Sequence, residues 1–425
     1  MIRLTRSQVQ PIGMDLGLDS IKMLQLEVAG ESLSVVAAAK QSLPEELRQQ
    51  PEQRAAATMD LLRGMLRSGS FVGRRVVACL PREIVHVKNL RLPMMPPAEV
   101  ESAVQYEVRH IFPFEPEEAT VQYLCAGEVR QGSDTKLEVI AVAARQQEID
   151  GFVEQLHQAG CVIESLDFEP CALYRGVERF IRRREDETEV NALLDVGLRR
   201  SQVVIGRGRE ISFYKAIEIG AQDFHSAVAR KLGIKVEEAR AVRRRLVEGG
   251  GETDEQGKTD PVRQAVYDAT RSTIEDLARE VSLCLRYHSV TFRGHRPSKL
   301  RVLGGEAGDP QLVAILTSAL PIPVQASRPL ASVNTSRMRQ SDRQGHLGEW
   351  AVAFGAGLKL TRGYFGSRDG RRREVLTGAA RDNDLASDRQ IDTVEVVDLG
   401  SIDATGTSHA AAAEALPRPK EAAHA

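Results

Sequence analysis

Ile12-Gly13-Met14-Asp15-Leu16-Gly17-Leu18-Asp19-Ser20-Ile21-Lys22 and Ala192-Leu193-Leu194-Asp195-Val196-Gly197-Leu198-Arg199-Arg200-Ser201 decide how this chain is read. Each is an apolar run ending in Asp-x-Gly, then a tight turn and a second apolar run, at 23–28 and 202–205. Gly17 and Gly197 are free to take backbone angles closed to other residues and let the main chain approach a ligand. Successive backbone N–H groups in such a turn form a concave anion site. An Asp at a strand end suits Mg²⁺, which prefers carboxylate oxygens and keeps several waters. Lys22 adds a point charge for a phosphate. A lone Asp-x-Gly is equally an ordinary hairpin turn, since Asp and Gly dominate turns. The second copy, about half a chain away in matched context, points to a duplicated fold with a nucleotide cleft between its halves.

The 425 residues suffice for two domains or more. At 42% hydrophobic and 27% charged the composition is that of a soluble globular protein. A net charge of −2 removes bulk attraction to nucleic acid as a default. Cys79, Cys125, Cys161, Cys171 and Cys284 are scattered through apolar runs and read as buried free thiols rather than a disulfide frame or zinc site. The nine histidines show no ligand spacing. No stretch approaches the roughly 18 apolar residues of a membrane span, and the first residues lack a signal-peptide core. The expectation is a cytoplasmic protein.

Periodicity and turn residues divide the chain into five parts. Residues 1–82 form the first part of one lobe: strands, including 33–40, a helix at 51–67 and a strand at 75–80. Residues 83–160 form an α+β block, with strands at 84–92, 119–128 and 136–143, a helix at 99–110 and a closing helix at 146–159. Val100, Val104 and Val108 share one face of its first helix. Lys88, Arg91 and Arg109 read as its solvated faces, or as the lining of a partner groove. Residues 161–190 return to the first lobe and end in the mixed-charge run 182–187. Residues 191–360 form a second lobe with helices at 221–231, 236–247, 262–290 and 310–319, a strand at 300–303 ending in Gly304-Gly305, and a last element at 350–358. Residues 361–425 carry too few large apolar residues to offset ordering entropy and read as a disordered tail.

Together these pieces resemble the actin-like (ribonuclease H-like) ATPase fold, an α/β fold with two lobes around a nucleotide cleft. Within it they resemble the PilM family of type IV pilus assembly, relatives of the cell-division protein FtsA. The resemblance spans about 10–360. It rests on three turns in the family's order, Asp15-Leu16-Gly17, Asp195-Val196-Gly197 and Gly304-Gly305, and on a small βαββα insertion between the first two. Its most specific part is Leu90-Arg91-Leu92-Pro93-Met94-Met95-Pro96, running to Tyr106-Glu107 and Phe112-Pro113-Phe114. Residues 139–145 and Leu166-Asp167-Phe168-Glu169-Pro170 also match.

The resemblance implies ATP and Mg²⁺ as ligands. It places the nucleotide on Asp15, Gly17, Ser20, Lys22, Asp195, Gly197, Ser201, Arg243, Gly304 and Gly305, with Mg²⁺ held through water by Asp15 and Asp195. Glu169 becomes the candidate to orient an attacking water, in at most a weak ATPase; its plainer reading is a carboxylate at a helix N-terminus. The resemblance also implies a cytoplasmic scaffold of a type IV pilus assembly or related secretion machine, one that holds the N-terminal peptide of an inner-membrane PilN-like protein beside the insertion. That partner would link it to the alignment proteins and the pilus motor.

The chain departs from the family pattern at the nucleotide site. Leu18 and Asp19 replace small hydroxyl residues, Leu198 and Arg199 add bulk, Arg240 stands for a Glu, Arg243 for a Lys, and Glu306 for a third glycine. Asp19 sets a negative charge where phosphates lie, and like charges about 4 Å apart repel by several kcal/mol at an effective dielectric near 20. Two alternatives stay open: an actin-fold kinase of a small metabolite, which needs a carboxylate facing a substrate pocket, and an FtsA-like filament-forming ATPase, which needs a membrane-anchoring helix.

Overall fold

The computed structural model describes residues 7–30, 32–48, 50–181, 183–248, 260–292, 296–343 and 346–361, and the backbone of 395–397. The chain opens with β1 (Gln8–Leu16), β2 (Ser20–Ala29) and β3 (Ser32–Ser42), then α1 (Pro51–Ser68) and β4 (Arg75–Cys79). An insertion follows, made of β5 (His86–Pro93), α2 (Pro97–Val108), β6 (Ala119–Gln131) and β7 (Asp134–Arg145). Then α3 (Gln146–Gln158), β8 (Val162–Asp167) and α4 (Glu169–Glu178) complete the first lobe. The second half runs β9 (Val190–Val196), β10 (Ser201–Arg207), β11 (Glu210–Ile217), α5 (Ala221–Leu232), α6 (Val236–Glu248) and α7 (Pro261–Thr291). It closes with β12 (Lys299–Gly304), α8 (Pro310–Ala319), β13 (Val324–Ala326) and α9 (Ala351–Gly357).

The two halves share one plan. Their five-stranded sheets have the orders β3-β2-β1-β4-β8 and β11-β10-β9-β12-β13. In each, an antiparallel meander is extended by two parallel strands. This is the duplicated actin-like fold. Every residue of β9 is buried, as expected of a central strand covered on both faces. Ile12, Met14, Ile21 and Met23 meet Leu62 and Leu66 of α1 in the first-lobe core. Between the lobes α9 is buried along its whole length, and two glycines admit it. An added Cβ would lie 2.0 Å from the Ala353 carbonyl oxygen at Gly13, and 1.7 Å from that of Ala172 at Gly355.

Three expectations change. The helix at 146–159, expected to close the inserted block, turns its apolar face to the first lobe. Phe152 and Leu156 of α3 pack with Met59 and Leu62 in the first-lobe core, because amphipathic periodicity marks a buried face but not the sheet it covers. Arg91 is not solvated: its Nε donates to Glu138 at 2.9 Å and its Nη2 to the Tyr287 hydroxyl of α7 at 3.1 Å, which ties the insertion to the second lobe. Cys79, Cys161 and Cys284 are buried thiols, whereas Cys125 is exposed.

Most of the tail expected at 361–425 lies outside the described residues. Thr361 is buried in the turn Lys359–Thr361, and Glu395–Val397 forms β14, antiparallel to β5 with Glu395 opposite Arg91, so four of its residues depart from the expectation. Without β14, β5 would be an edge strand with unpaired backbone groups. No described helix is long and apolar enough to cross a membrane.

Candidate functional site

Two hairpins face the cleft. The first sets Asp15 opposite Lys22, whose Nζ donates to Asp15 Oδ2 at 3.0 Å. The second sets Asp195 opposite Gln202, whose Nε2 donates to Asp195 Oδ2 at 3.0 Å. In each case the partner stands seven residues beyond its Asp. Gly17 and Gly197 do not adopt left-handed angles, contrary to expectation; they are needed for space. An added Cβ would lie 3.1 Å from the Ser20 carbonyl oxygen and 2.8 Å from that of Arg200, respectively. The left-handed residue is Gly304, at φ +88, where an added Cβ would lie 2.4 Å from the Val196 carbonyl oxygen. The third turn therefore lies directly against the second. Gly305 beside it faces open space.

Arg82 sits between the lobes, at the start of the short turn Arg82–Ile84 that leads into the insertion. Its Nε donates to Glu169 Oε2 at 2.6 Å, its Nη2 also bonds Glu169 Oε1, and the same Nη2 reaches Asp195 Oδ2 at 3.2 Å. Gln202 Nε2 adds a 2.8 Å bond to Glu169 Oε1. A space of only 20 Å³ remains beside them, lined by Arg82, Glu169, Gln202 and Tyr214 among others.

The charges in this pocket are interdependent. Burial pushes Asp195 up to about 6, the Glu169 charge pushes the same way, and Arg82 and Gln202 pull against both. Asp15 is also raised by burial, with Lys22 opposing. Burial alone would raise Glu169, but the Arg82 guanidinium and the hydrogen bonds from Arg82 and Gln202 outweigh it and hold Glu169 below its ordinary value. Asp195 feels the charge of Asp15 as well, more weakly than that of Glu169.

A second set of ion pairs spans the cleft mouth. Asp19 Oδ1 meets Arg48 at 3.1 Å and Arg240 of α6 at 2.5 Å. Arg240 also reaches Glu45 at 3.6 Å, and Arg199 donates to the Arg48 carbonyl oxygen at 2.8 Å. The charge on Asp19 is thus matched within the protein. Arg200 pairs with Glu218 instead. Arg243 is buried, with Nη2 donating to Glu306 at 2.6 Å and to Asp309 at 2.8 Å and Nη1 3.1 Å from His225 Nδ1. Burial, and after it the charge of Arg243, push His225 down to about 3. The ring is neutral and its Nδ1 accepts. The Ser201 hydroxyl donates to the Ile219 carbonyl oxygen at 2.7 Å, and Ser20 is buried in β2.

Asp15 and Asp195 have the oxygen chemistry that Mg²⁺ prefers, yet as arranged the residues do not fit Mg²⁺–ATP. Lys22, Arg82 and Gln202 already engage the carboxylates, and both oxygens of Glu169 accept from Arg82. Among the described residues, no group of three or more His, Cys, Asp or Glu is arranged to hold a metal ion. Arg82, Arg48 and Gln202 were not singled out from sequence. Gln202 was within reach, since it stands where Lys22 stands once the two Asp-x-Gly turns are aligned. Arg82 and Arg48 carry no local signal.

Residues 13–361 match the family model described as type IV pilus assembly protein PilM. A solved PilM–PilN type IV pilus biogenesis complex is similar at a TM-score of 0.67 and 24% identity, over 82% of this chain and 98% of that chain, and so shares the fold. The ethanolamine utilization protein EutJ from Carboxydothermus hydrogenoformans is similar at a TM-score of 0.47 and 13% identity, over 83% and 89%. An MreB of Spiroplasma citri bound to AMPPNP is similar at 0.44 and 11%, over 84% and 97%. None of the curated proteins searched matches the chain. The family match runs from the first hairpin through the insertion to the helix that closes the lobes, and the chain belongs to the PilM family of type IV pilus assembly proteins.

Proposed function

We propose that this protein is a scaffold of type IV pilus assembly that holds the N-terminal peptide of a PilN-like inner-membrane protein beside its inserted module. It would lie at the membrane through that partner and join it to alignment and motor proteins. The carrying observation is the insertion itself. In a PilM-family chain it has its own core, with Leu90, Leu92, Val104, Phe112 and Phe114 buried together. It is also bonded to the second lobe through Arg91 and Tyr287. A peptide held beside such a module acts on both lobes at once. That a solved relative is a complex with PilN supports the same partner.

Nucleotide enters this reading as a competitor of the cleft's own cations. ATP with Mg²⁺ on Asp15 and Asp195 requires Arg82 and Lys22 to release those carboxylates, so occupancy and the closed cleft exclude each other. The reading contains no hydrolytic step, because Glu169 serves Arg82. The test is a titration of the full chain with labelled N-terminal peptides of the inner-membrane proteins encoded beside it, followed by fluorescence anisotropy. Saturable binding of a single-span protein's peptide is expected. Failure of every such peptide to bind ends the scaffold reading.

A further inference from the structure

A cavity of 270 Å³ opens between α4 and the β12–β13 end of the second-lobe sheet, lined by none of the cleft residues described above. On β12, Leu300 and Val302 fill the second-lobe core. Alternation therefore turns Arg301 and Leu303 toward α4, where Leu173, Val177 and Phe180 form the apolar wall. The lining holds two cations, Arg301 and Arg328, and no acidic residue.

Arg301 is the unresolved group. Its Nε is buried with no hydrogen-bond acceptor among the described residues. Glu189, the acid whose charge reaches it, is already bonded to Lys299 at 3.1 Å and to the Ser298 hydroxyl at 2.9 Å. Burial holds the guanidinium below its ordinary pKa. A buried donor left unmet is costly, and a carboxylate is the acceptor that suits a guanidinium best. Phe180 stands 45% exposed at the cavity. Beside it β13 is the last strand of the sheet, and among the described residues none pairs with its outer edge.

We propose that this cavity docks an extended acidic-apolar segment of a second partner protein. A bulky apolar side chain fills the cavity, a neighbouring carboxylate accepts from Arg301 and Arg328, and the segment's backbone pairs with the edge of β13. A small inorganic anion would satisfy the arginines but leave the apolar wall and the strand edge unused; the peptide uses all three. A scaffold of this form holds two partners on separate surfaces.

Randomised displayed decapeptides, selected on the full chain, test the site. Two variants serve as controls. Arg301→Gln removes the charge. Gly176→Met fills the cavity from a position on α4 where an added Cβ meets only Phe354, at 3.8 Å. Enriched peptides are expected to carry Asp or Glu next to Phe, Leu or Trp. A synthetic copy should bind each variant about tenfold or more weakly, while thermal melting and binding of the PilN-like peptide stay unchanged. No enrichment, no acidic bias, equal affinity for the Gly176→Met variant, or displacement by inorganic phosphate alone would each overturn the proposal. The PilN-like peptide reports separately on the scaffold reading.

Discussion

Arg82 Nη2 lies 3.2 Å from Asp195 Oδ2, so a cation of the first lobe rests on the carboxylate that ends the second lobe's central strand. The duplication explains why. The first hairpin neutralises Asp15 with its own Lys22, whereas the second offers Asp195 only the neutral Gln202. The missing positive charge arrives from the other half, and the same guanidinium holds Glu169 at the start of α4.

Replacing Arg82 with Ala is therefore expected to cost about 3–5 kcal/mol, the range for breaking a buried ion pair and leaving its acids uncompensated. Arg82→Lys should recover only part, since an ammonium cannot bridge two carboxylates as a planar fork does. In urea unfolding, Mg²⁺ should stabilise the Arg82→Ala protein more than the parent, because the cation then finds Glu169 and Asp195 unpaired. Equal Mg²⁺ responses would mean that Arg82 does not stand in the cation's place.

How far the sequence could be read follows from what is local. Asp-x-Gly turns and alternating strands are short-range patterns, so the duplication, the insertion and the third turn at Gly304 were all legible. The Arg82 contacts exist only once two lobes meet, and Pro81-Arg82-Glu83 carries no mark of that. The partner sheet of α3 was hidden for the same reason: Phe152 and Leu156 announce a buried face and nothing more. Asp19 was read as a charge set against phosphate, because Arg48 and Arg240, its partners, are distant in sequence.

Asp195 should make stability pH-dependent in a recognisable direction. Its native value of about 6 exceeds the ordinary 3.8, so the native state binds the proton first. The stabilisation from that proton is complete below about pH 4 and lost as the pH rises through 6. Asp195→Asn keeps an acceptor for Arg82 and removes the buried charge. It is expected to gain about 1–3 kcal/mol at neutral pH, with the gain shrinking towards pH 4. Chemical denaturation across this range checks it, and a gain that does not change with pH would contradict the assignment.

His225 should act in the opposite sense. Its native value is about 3 against an ordinary 6.5, so the unfolded chain binds the proton first. The stability carried by the neutral ring is full above pH 6.5 and declines as the pH falls towards 3, by about 1.4 kcal/mol per pH unit. His225→Asn should flatten the stability curve between about pH 6.5 and 4.5 relative to the parent. Parallel curves would show that the ring next to Arg243 is already charged.

The mouth of the cleft should respond to salt more than to temperature. Arg240 and Asp19 are 27% and 32% exposed, so Arg240→Ala is expected to cost no more than about 1 kcal/mol of stability. The same pair nevertheless joins α6 to the first hairpin, and with the Arg199 contact to Arg48 it spans the two lobes. Removing it should raise hydrogen exchange in α6 and around residues 45–48 without raising it in β9, whose burial does not depend on the mouth. High salt should produce the same local pattern in the parent, because partly exposed pairs are screened at short range. Exchange that rises uniformly through the second lobe would instead place Arg240 among the residues that hold that lobe's own core together.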